Sequence, residues 1–468
     1  MTTKKLTALI VGVLAVVYII WLSPDVPGLT YKGKAALGTA VFAIIIWVTQ
    51  AVEDALSAFI IVFLLAALKA GTLANAFSGF SNTALWLLVV GFIMAACMEK
   101  SGLSKRIALY MVNLAGGSAI KTYWAVAGIM AILTFLVPSI AARTLLMLPI
   151  LVEIGKAFSS NKGESNILKA LMFIVIMSGT MMSIGVLTAH AANPITAGLI
   201  EATTKQVVSW SQWFMIGGPP GFILAFLSIL VIIYMWPPEI KSLGDGEAYI
   251  KRELEALGKI SKIEIYTLIV FLLTLVLWAT DSIHKVNVII VGMLSAIALL
   301  WPSAGLMNWK EASGKVPWNV FMLYGAGLSM GATLVSSGAA KWLAATFFSP
   351  LAVYPEYVQI ILLILILTVI QVFFTGGGPK TTAMTPIVIA HAVTIGADPM
   401  IFALIVGMNV HHQYLLPVTN MPNAVMVGTG HLSTPDVVKT GIVMSILSVV
   451  VMAIMVVTYW NWMGYIKM

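Results

Sequence analysis

Apolar segments recur along this chain, most of them long enough to cross a bilayer, with short polar stretches between them. They read 6–22, 36–52, 55–71, 83–98, 122–138, 142–156, 167–204 with a weak middle, 213–236, 263–281, 286–302, 317–335, 357–374, 381–396, 399–430 with a weak middle, and 437–464. A hydrocarbon core roughly 30 Å thick takes about 20 helical residues to span. Backbone groups in lipid must be bonded within the protein, which leaves helices or a closed barrel. The two-residue alternation of barrel strands is absent. Charged types are 9% of the chain, against roughly 25% in soluble domains. The expected fold is all-α and polytopic.

The net charge of +8 would suggest nucleic acid in a soluble protein. Here the charges lie between apolar segments and read as topology signals, so no nucleic-acid partner is expected. The single cysteine, Cys97, allows no internal disulfide. Lys4 and Lys5 ahead of Leu6–Leu22 look like the start of a signal peptide, but no small-residue cleavage site follows, and a retained helix is expected. The polar stretch 237–262 reads as a solvated cytoplasmic loop. It divides the chain into an N-terminal helix (1–30), a first repeat (31–236) and a second repeat (263–468).

The repeat is visible in residues. GFIMAACMEKSGLSK begins at Gly91 and GLSMGATLVSSGAAK at Gly327, aligning Ser101, Gly102 and Lys105 with Ser337, Gly338 and Lys341. Arg143 stands six residues before Pro149, and Lys380 six before Pro386. Each half also carries two interruptions: LVPSIAART (136–144) and SIGVLTAHAANP (183–194), then FFTGGGPKTT (373–382) and QYLLPVTNMPN (413–423). The first of each pair separates two short apolar arms and predicts a re-entrant hairpin. The second predicts a helix broken beside Asn193–Pro194 or Pro422–Asn423, because proline removes a backbone hydrogen bond. Irregular backbone at membrane depth is tolerated where it lines protein or water, and carriers built from inverted repeats bind substrate on such broken helices.

With two hairpins, each half has five spanning helices, an odd number, so the repeats are inverted. A cytoplasmic N-terminus places seventeen Lys and Arg inside and seven outside, with Arg143 and Lys380 at the tips. That is the sense of the positive-inside rule. It gives about eleven transmembrane helices, an external C-terminus, and a multi-pass protein of the cell (inner or plasma) membrane.

On these interruptions the chain resembles the divalent anion:sodium symporter family, carriers of dicarboxylates, citrate or sulfate. The most specific match is YLLPVTNMPNAVMVGTG (414–430). VPWNVFMLYGAGL (316–328) and FSNTALWLLVVGFIMAACMEKSGLSKRIAL (80–109) also fit, and the likeness runs from about residue 30 to the C-terminus. The resemblance implies a homodimer. A scaffold would come from helices before about 120 and within 263–345. A transport domain of hairpins, broken helices and the helices after them would move as an elevator. In sodium-coupled members each tip carries Ser-Asn-Thr and helps hold Na⁺ and substrate carboxylates. Here tip one reads Ser139-Ile140-Ala141 and tip two Gly376-Gly377-Gly378, followed by Pro379-Lys380-Thr381-Thr382. Both asparagines are gone and a cation stands near each tip. Some exchangers of the family carry arginine where Arg143 stands.

A charge at membrane depth costs about 2.5–3.5 kcal/mol on insertion scales, so Arg143 and Lys380 call for a reason. Both are candidates to pair with an anion: di- or tricarboxylate first, sulfonate or another oxyanion as alternatives. Arg offers a planar fork and Lys a point charge. The expected substrate site comprises Ser139, Arg143, Thr144, Asn193, Gly376, Gly377, Gly378, Lys380, Thr381, Thr382 and Asn423, with His190 and His412 as polar or proton-relay groups. Na⁺, where held, would sit near Ser139, Gly376 and Thr419, though the missing asparagines weaken that expectation. The alternatives are a cation-independent exchanger or a proton-coupled carrier using Lys380. No cofactor is expected. A membrane-embedded enzyme is the alternative class, but no nucleophile–base pair or metal spacing is found, nor a phosphate-binding loop.

Overall fold

The computed structural model describes residues 2–158, 165–239, 245–374 and 376–466. Lys162, Lys241 and Lys467 of the topology count, and Thr375 of the second interruption, lie outside them. The described residues form helices without strands. Among the described residues nine helices are long and apolar enough to cross a membrane, and Asp54–Ala67, Asn166–Met182, Val288–Leu300 and Pro399–Asn409 are shorter apolar ones. Two of the nine, Ala119–Leu136 and Glu356–Phe373, are the first arms of hairpins. Counting the other seven, two short helices and two broken ones gives the eleven crossings expected.

Each hairpin turns in a few residues. Ala119–Leu136 passes through 137–139 into Ile140–Phe158, and Glu356–Ile370 passes through a 3-10 turn, Gln371–Phe373, into Gly377–Ile395. The first broken helix is Asn166–Met182 followed by Ala192–Thr204. The second is Pro399–Asn409, a 3-10 turn Pro417–Thr419, and Met421–Gly428. Asn166–Met182 is buried along almost its whole length, enclosed by Trp210–Met235 and the first hairpin. By contrast Thr3–Val17 leaves Leu6, Ile10 and Leu14 exposed, as a lipid-facing helix should.

Local chemistry sets the ends. Thr30, Ser118, Ser165 and Ser209 accept from backbone N–H groups in the first turns of their helices, and Ser261 with Glu264 forms a capping box. The repeat is also a repeat of backbone geometry. Gly102 ends Thr83–Ser101 with φ +80°, and Gly338 follows Trp318–Ser336 with the same φ. That left-handed conformation favours glycine.

A separate apolar core joins Thr3–Val17, Tyr31–Thr49 and Asp54–Ala67 to Trp318–Ser336. The larger core includes the hairpins and broken helices. The stretch 237–262 is not all loop: Asp245–Leu257 is helical and buries Ile250. Arg106 pins its end by donating to the carbonyls of Leu257 (3.2 Å) and Gly258 (2.9 Å) while its Nε bonds Glu264 Oε1 at 2.6 Å. Charge density in the sequence concealed the helical period. The turns after residues 101, 235, 300 and 428 share one face, here called the lysine-rich face; those after 204, 279 and 336 share the other.

Candidate functional site

Tip one is built on Ser139. Its Oγ accepts the Ala142 N–H at 3.2 Å, and Ile140–Phe158 starts there, so helix N–H groups point toward the turn. Arg143 lies one turn behind and is fully buried. Its Nη2 donates to Ser183 Oγ (2.8 Å) and the Ala189 carbonyl (3.0 Å), its Nη1 to Thr134 Oγ1, and its Nε to the Ser139 carbonyl (3.4 Å). Four of the five guanidinium N–H groups are thereby used within the protein. Among the described residues no carboxylate pairs with it. Thr144 is buried and back-bonded to the Ile140 carbonyl at 2.9 Å.

Tip two is built on glycine. Gly376 has φ +96° and ψ 166°, a conformation open essentially only to glycine. Its N–H donates to the Thr419 carbonyl at 3.1 Å, docking the tip on the second break. Gly377 and Gly378 lie in the first turn of the helix rather than in the loop. Gly377 faces His190 and Gln413, and Gly378 faces Tyr324 of Trp318–Ser336. Lys380 is fully buried, with Nζ donating to the Asn409 Oδ1 (2.7 Å) and carbonyl (3.2 Å). Thr381 Oγ1 is buried without a partner among the described residues, and Thr382 bonds the Gly378 and Pro379 carbonyls at 3.1 Å.

The breaks are near copies. Asn193 Nδ2 donates to the carbonyls of Ser183 (2.8 Å) and Val186 (3.0 Å), ten and seven residues back. Asn423 Nδ2 donates to those of Gln413 (3.1 Å) and Leu416 (3.3 Å), again ten and seven back. Two carbonyls on each Nδ2 fix the amide orientation. Each Oδ1 then points away as a buried acceptor with no donor among the described residues. Thr419 Oγ1 donates to the Leu416 carbonyl at 2.7 Å.

His190 is half-buried with its ring 4.9 Å from that of His411, so it faces the region between the tips. His412 faces elsewhere: its Nδ1 lies 2.9 Å from Thr368 Oγ1 and 3.1 Å from Asn409 Nδ2, which also bonds Thr368. It therefore belongs to the cluster holding Lys380. Sequence reasoning missed Thr134, Ser183, Asn409, His411 and Gln413. The run His411-His412-Gln413 within an apolar stretch was the available signal.

The two halves sit unequally against the helices around them. A methyl on Gly91 would lie 3.1 Å from Pro138 Cγ, one residue before Ser139. On the equivalent Gly327 it would meet Thr382, six residues after Gly376. The difference is seven residues, or ~10 Å along a helix. Likewise a Cβ on Gly198 would meet Asn82 Oδ1 (2.7 Å) and the Ala84 Cβ (2.9 Å), while on its repeat mate Gly428 it would meet nothing within 4 Å among the described residues. A cavity of about 510 Å³ lies away from the tips, bordered by Leu187, Glu201, Gln212, Asp281 and Lys285.

A family model described as the sodium:sulfate symporter transmembrane region matches residues 3–466. A protein of Cupriavidus necator described only as a membrane protein is 29% identical over 463 residues, covering 95% of this chain and 90% of its own. The sodium-dependent dicarboxylate transporter of Staphylococcus saprophyticus is 27% identical, covering 97% and 91%. The L-tartrate/succinate antiporter of Escherichia coli is 28% identical, covering 84% and 81%. Among solved structures, Neisseria gonorrhoeae MtrF superposes with a TM-score of 0.60 at 13% identity over 95% of this chain and 96% of its own. The Alcanivorax borkumensis YdaH transporter gives 0.58 at 15%, over 84% and 87%. These two support the fold alone.

Proposed function

We propose, from the premise that the chain belongs to the sodium:sulfate symporter family, that it carries a small organic dianion between the two hairpin tips. The family consists of membrane transporters, and the chain is a transporter rather than an enzyme. A C4-dicarboxylate is the first candidate, since one relative is named for dicarboxylates and another for tartrate and succinate.

The observation that carries the reading is a buried cation one turn behind each tip, neither paired with a carboxylate among the described residues. Removing two charges from water costs several kcal/mol per ion. A dianion at the tips offsets that cost through the field of both cations and two helix N-termini. Ser139 Oγ, the first-turn N–H groups and His190 touch the anion; Arg143 and Lys380 act from behind and hold the breaks in shape. Fixed charge of this kind lets the anion bind without Na⁺, so we read the protein as an anion exchanger. Radiolabelled succinate counterflow in proteoliposomes, with Arg143→Met and Lys380→Met at matched reconstitution, tests this. Parental rates in both variants would end the reading.

The Oδ1 atoms of Asn193 and Asn423 favour a second reading. Each is a buried acceptor of fixed orientation in a break linked to its tip: Asn193 bonds Ser183, whose hydroxyl accepts from Arg143, and Asn423 bonds the Gln413 carbonyl, which also accepts from Thr419. Such oxygens suit a cation such as Na⁺, as well as water or a substrate hydroxyl. Na⁺ coupling then requires both sites to be loaded before the anion moves.

Movement follows the elevator pattern in our reading. The seven-residue difference in register equals the displacement that exchanges the surroundings of the two repeats. The lysine-rich face is cytoplasmic by the positive-inside rule. Residues 192–204 pack against Thr83–Ser101, whereas the mate 421–428 leaves Gly428 open, so this conformation is open toward the cytoplasm. The protein works as a homodimer in the cell membrane.

A further inference from the structure

We infer that Asp281 is a latch that holds the transport domain in the cytoplasm-open position. The inference rests on the elevator reading above. Asp281 follows Lys262–Ala279, on the face opposite the lysine-rich one, and is buried. Its Oδ2 accepts the Trp210 N–H at 2.6 Å, and its Oδ1 accepts the Ser211 hydroxyl at 2.5 Å and the Ser211 N–H at 3.4 Å. A carboxylate from one body thereby caps Trp210–Met235 in another. Charge-assisted bonds to helix N–H groups are among the stronger protein hydrogen bonds.

Trp210–Met235 is tied to the moving elements. Trp213 Nε1 donates to the Ile184 carbonyl in the first break at 2.9 Å, and Trp460 Nε1 reaches back to the Ile216 carbonyl at 2.9 Å. Lys262–Ala279 packs mainly on Val288–Leu300, which packs on Thr83–Ser101, and meets Trp210–Met235 over a smaller contact. Two further bonds cross nearby: Asn82 Nδ2 donates to the Gly198 carbonyl at 3.2 Å, and Thr83 Oγ1 donates to Glu201 Oε2 at 3.4 Å. The equivalent end on the lysine-rich face is different. Both helices carry their own serine cap, Ser209 and Ser433, but the added carboxylate at Thr434–Met455 is Asp436 of the same helix, which also pairs with Lys169 at 3.1 Å. Its cap therefore travels with the domain, whereas the Asp281 cap must break when the domain rises. The latch is one-sided and biases the resting population. Asp281 is a positioning residue, remote from the tips.

Paired cysteines read the two positions in a Cys97→Ala background. Thr83→Cys with Glu201→Cys reports the present position, where Thr83 Oγ1 lies 3.4 Å from Glu201 Oε2. The repeat mates of these two are Asn319 and His431, both exposed. Asn319→Cys with His431→Cys reports the raised position. Each pair is oxidised in proteoliposomes, with and without Asp281→Ala, and separately with Ser211→Ala, which removes one latch donor while keeping the carboxylate. The expected result is a rise of roughly tenfold in the ratio of raised to present cross-link for Asp281→Ala, and a smaller rise for Ser211→Ala. An unchanged ratio in both variants, with both cross-links forming in the parent, overturns the latch and leaves the elevator intact. A 319–431 cross-link that never forms, in the parent or either variant, overturns the elevator reading and the latch with it.

Discussion

Replacing Arg143 by lysine keeps the charge and removes the fork. In the native site four guanidinium N–H groups reach Thr134, Ser139, Ser183 and Ala189. A lysine ammonium is a single point on a flexible stem and cannot bridge those positions together, so at least two bonds are lost. Hydrogen bonds to charged groups contribute about 1.5–3 kcal/mol each, giving an upper range of about 3–6 kcal/mol. The hydroxyls soften this, because Thr134 still donates to the Met130 carbonyl at 2.6 Å and Ser183 to the Gly179 carbonyl at 2.7 Å. The Ala189 carbonyl has no such substitute. A loss of about 3 kcal/mol is expected, a large fraction of a typical total of about 5–15 kcal/mol. The assay is thermal melting of purified protein with and without succinate, alongside counterflow. Arg143→Lys should melt well below the parent yet keep a succinate-dependent rise, because the positive charge remains. Arg143→Met should lose both stability and the succinate response. A parental melting curve for Arg143→Lys would refute the staple reasoning. A full succinate response in Arg143→Met would refute the part assigned to its charge.

Other perturbations have equally definite outcomes. Lys380→Met removes the donor to Asn409 and should lower counterflow by at least about tenfold, checked at equal reconstituted protein. Asn193→Ala and Asn423→Ala each strip the donor from two carbonyls at matched spacing, at about 1–3 kcal/mol per orphaned group, so their melting temperatures should fall by similar amounts. Gly198→Ala forces a Cβ against Asn82 and Ala84 and should destabilise the present conformation by about 1–3 kcal/mol. Gly428→Ala should melt like the parent but exchange more slowly, because its space fills only in the raised position. Melting and counterflow on the same preparations distinguish the two.

The helices were legible in the sequence because lipid leaves a chain few choices. Segments read as 122–138, 213–236 and 317–335 form Ala119–Leu136, Trp210–Met235 and Trp318–Ser336. Apolarity failed as a marker where helices begin in polar residues. Gly377-Gly378-Pro379-Lys380 reads as a tip, yet it is the first turn of a helix, since glycine and proline are tolerated there. It failed again at Asp245–Leu257, whose charges suggest a loop while its helical period buries Ile250. At the site, the two breaks and the two cations were found by repeat symmetry. Their partners were not. Ser183 lies 40 residues from Arg143 and Asn409 lies 29 from Lys380, and only the folded chain brings them together. Asp281 resembles any loop carboxylate until Trp210 is placed against it.

The most direct test of the central claim, that fixed cations at Arg143 and Lys380 let the anion bind and cross without sodium, is succinate counterflow in Na⁺-free proteoliposomes preloaded with unlabelled succinate. Uptake should proceed without Na⁺, saturate, and collapse when the internal anion is omitted. Uptake that requires an inward Na⁺ gradient and ignores the internal anion would contradict it, and would point instead to cation sites at the oxygens of Asn193 and Asn423.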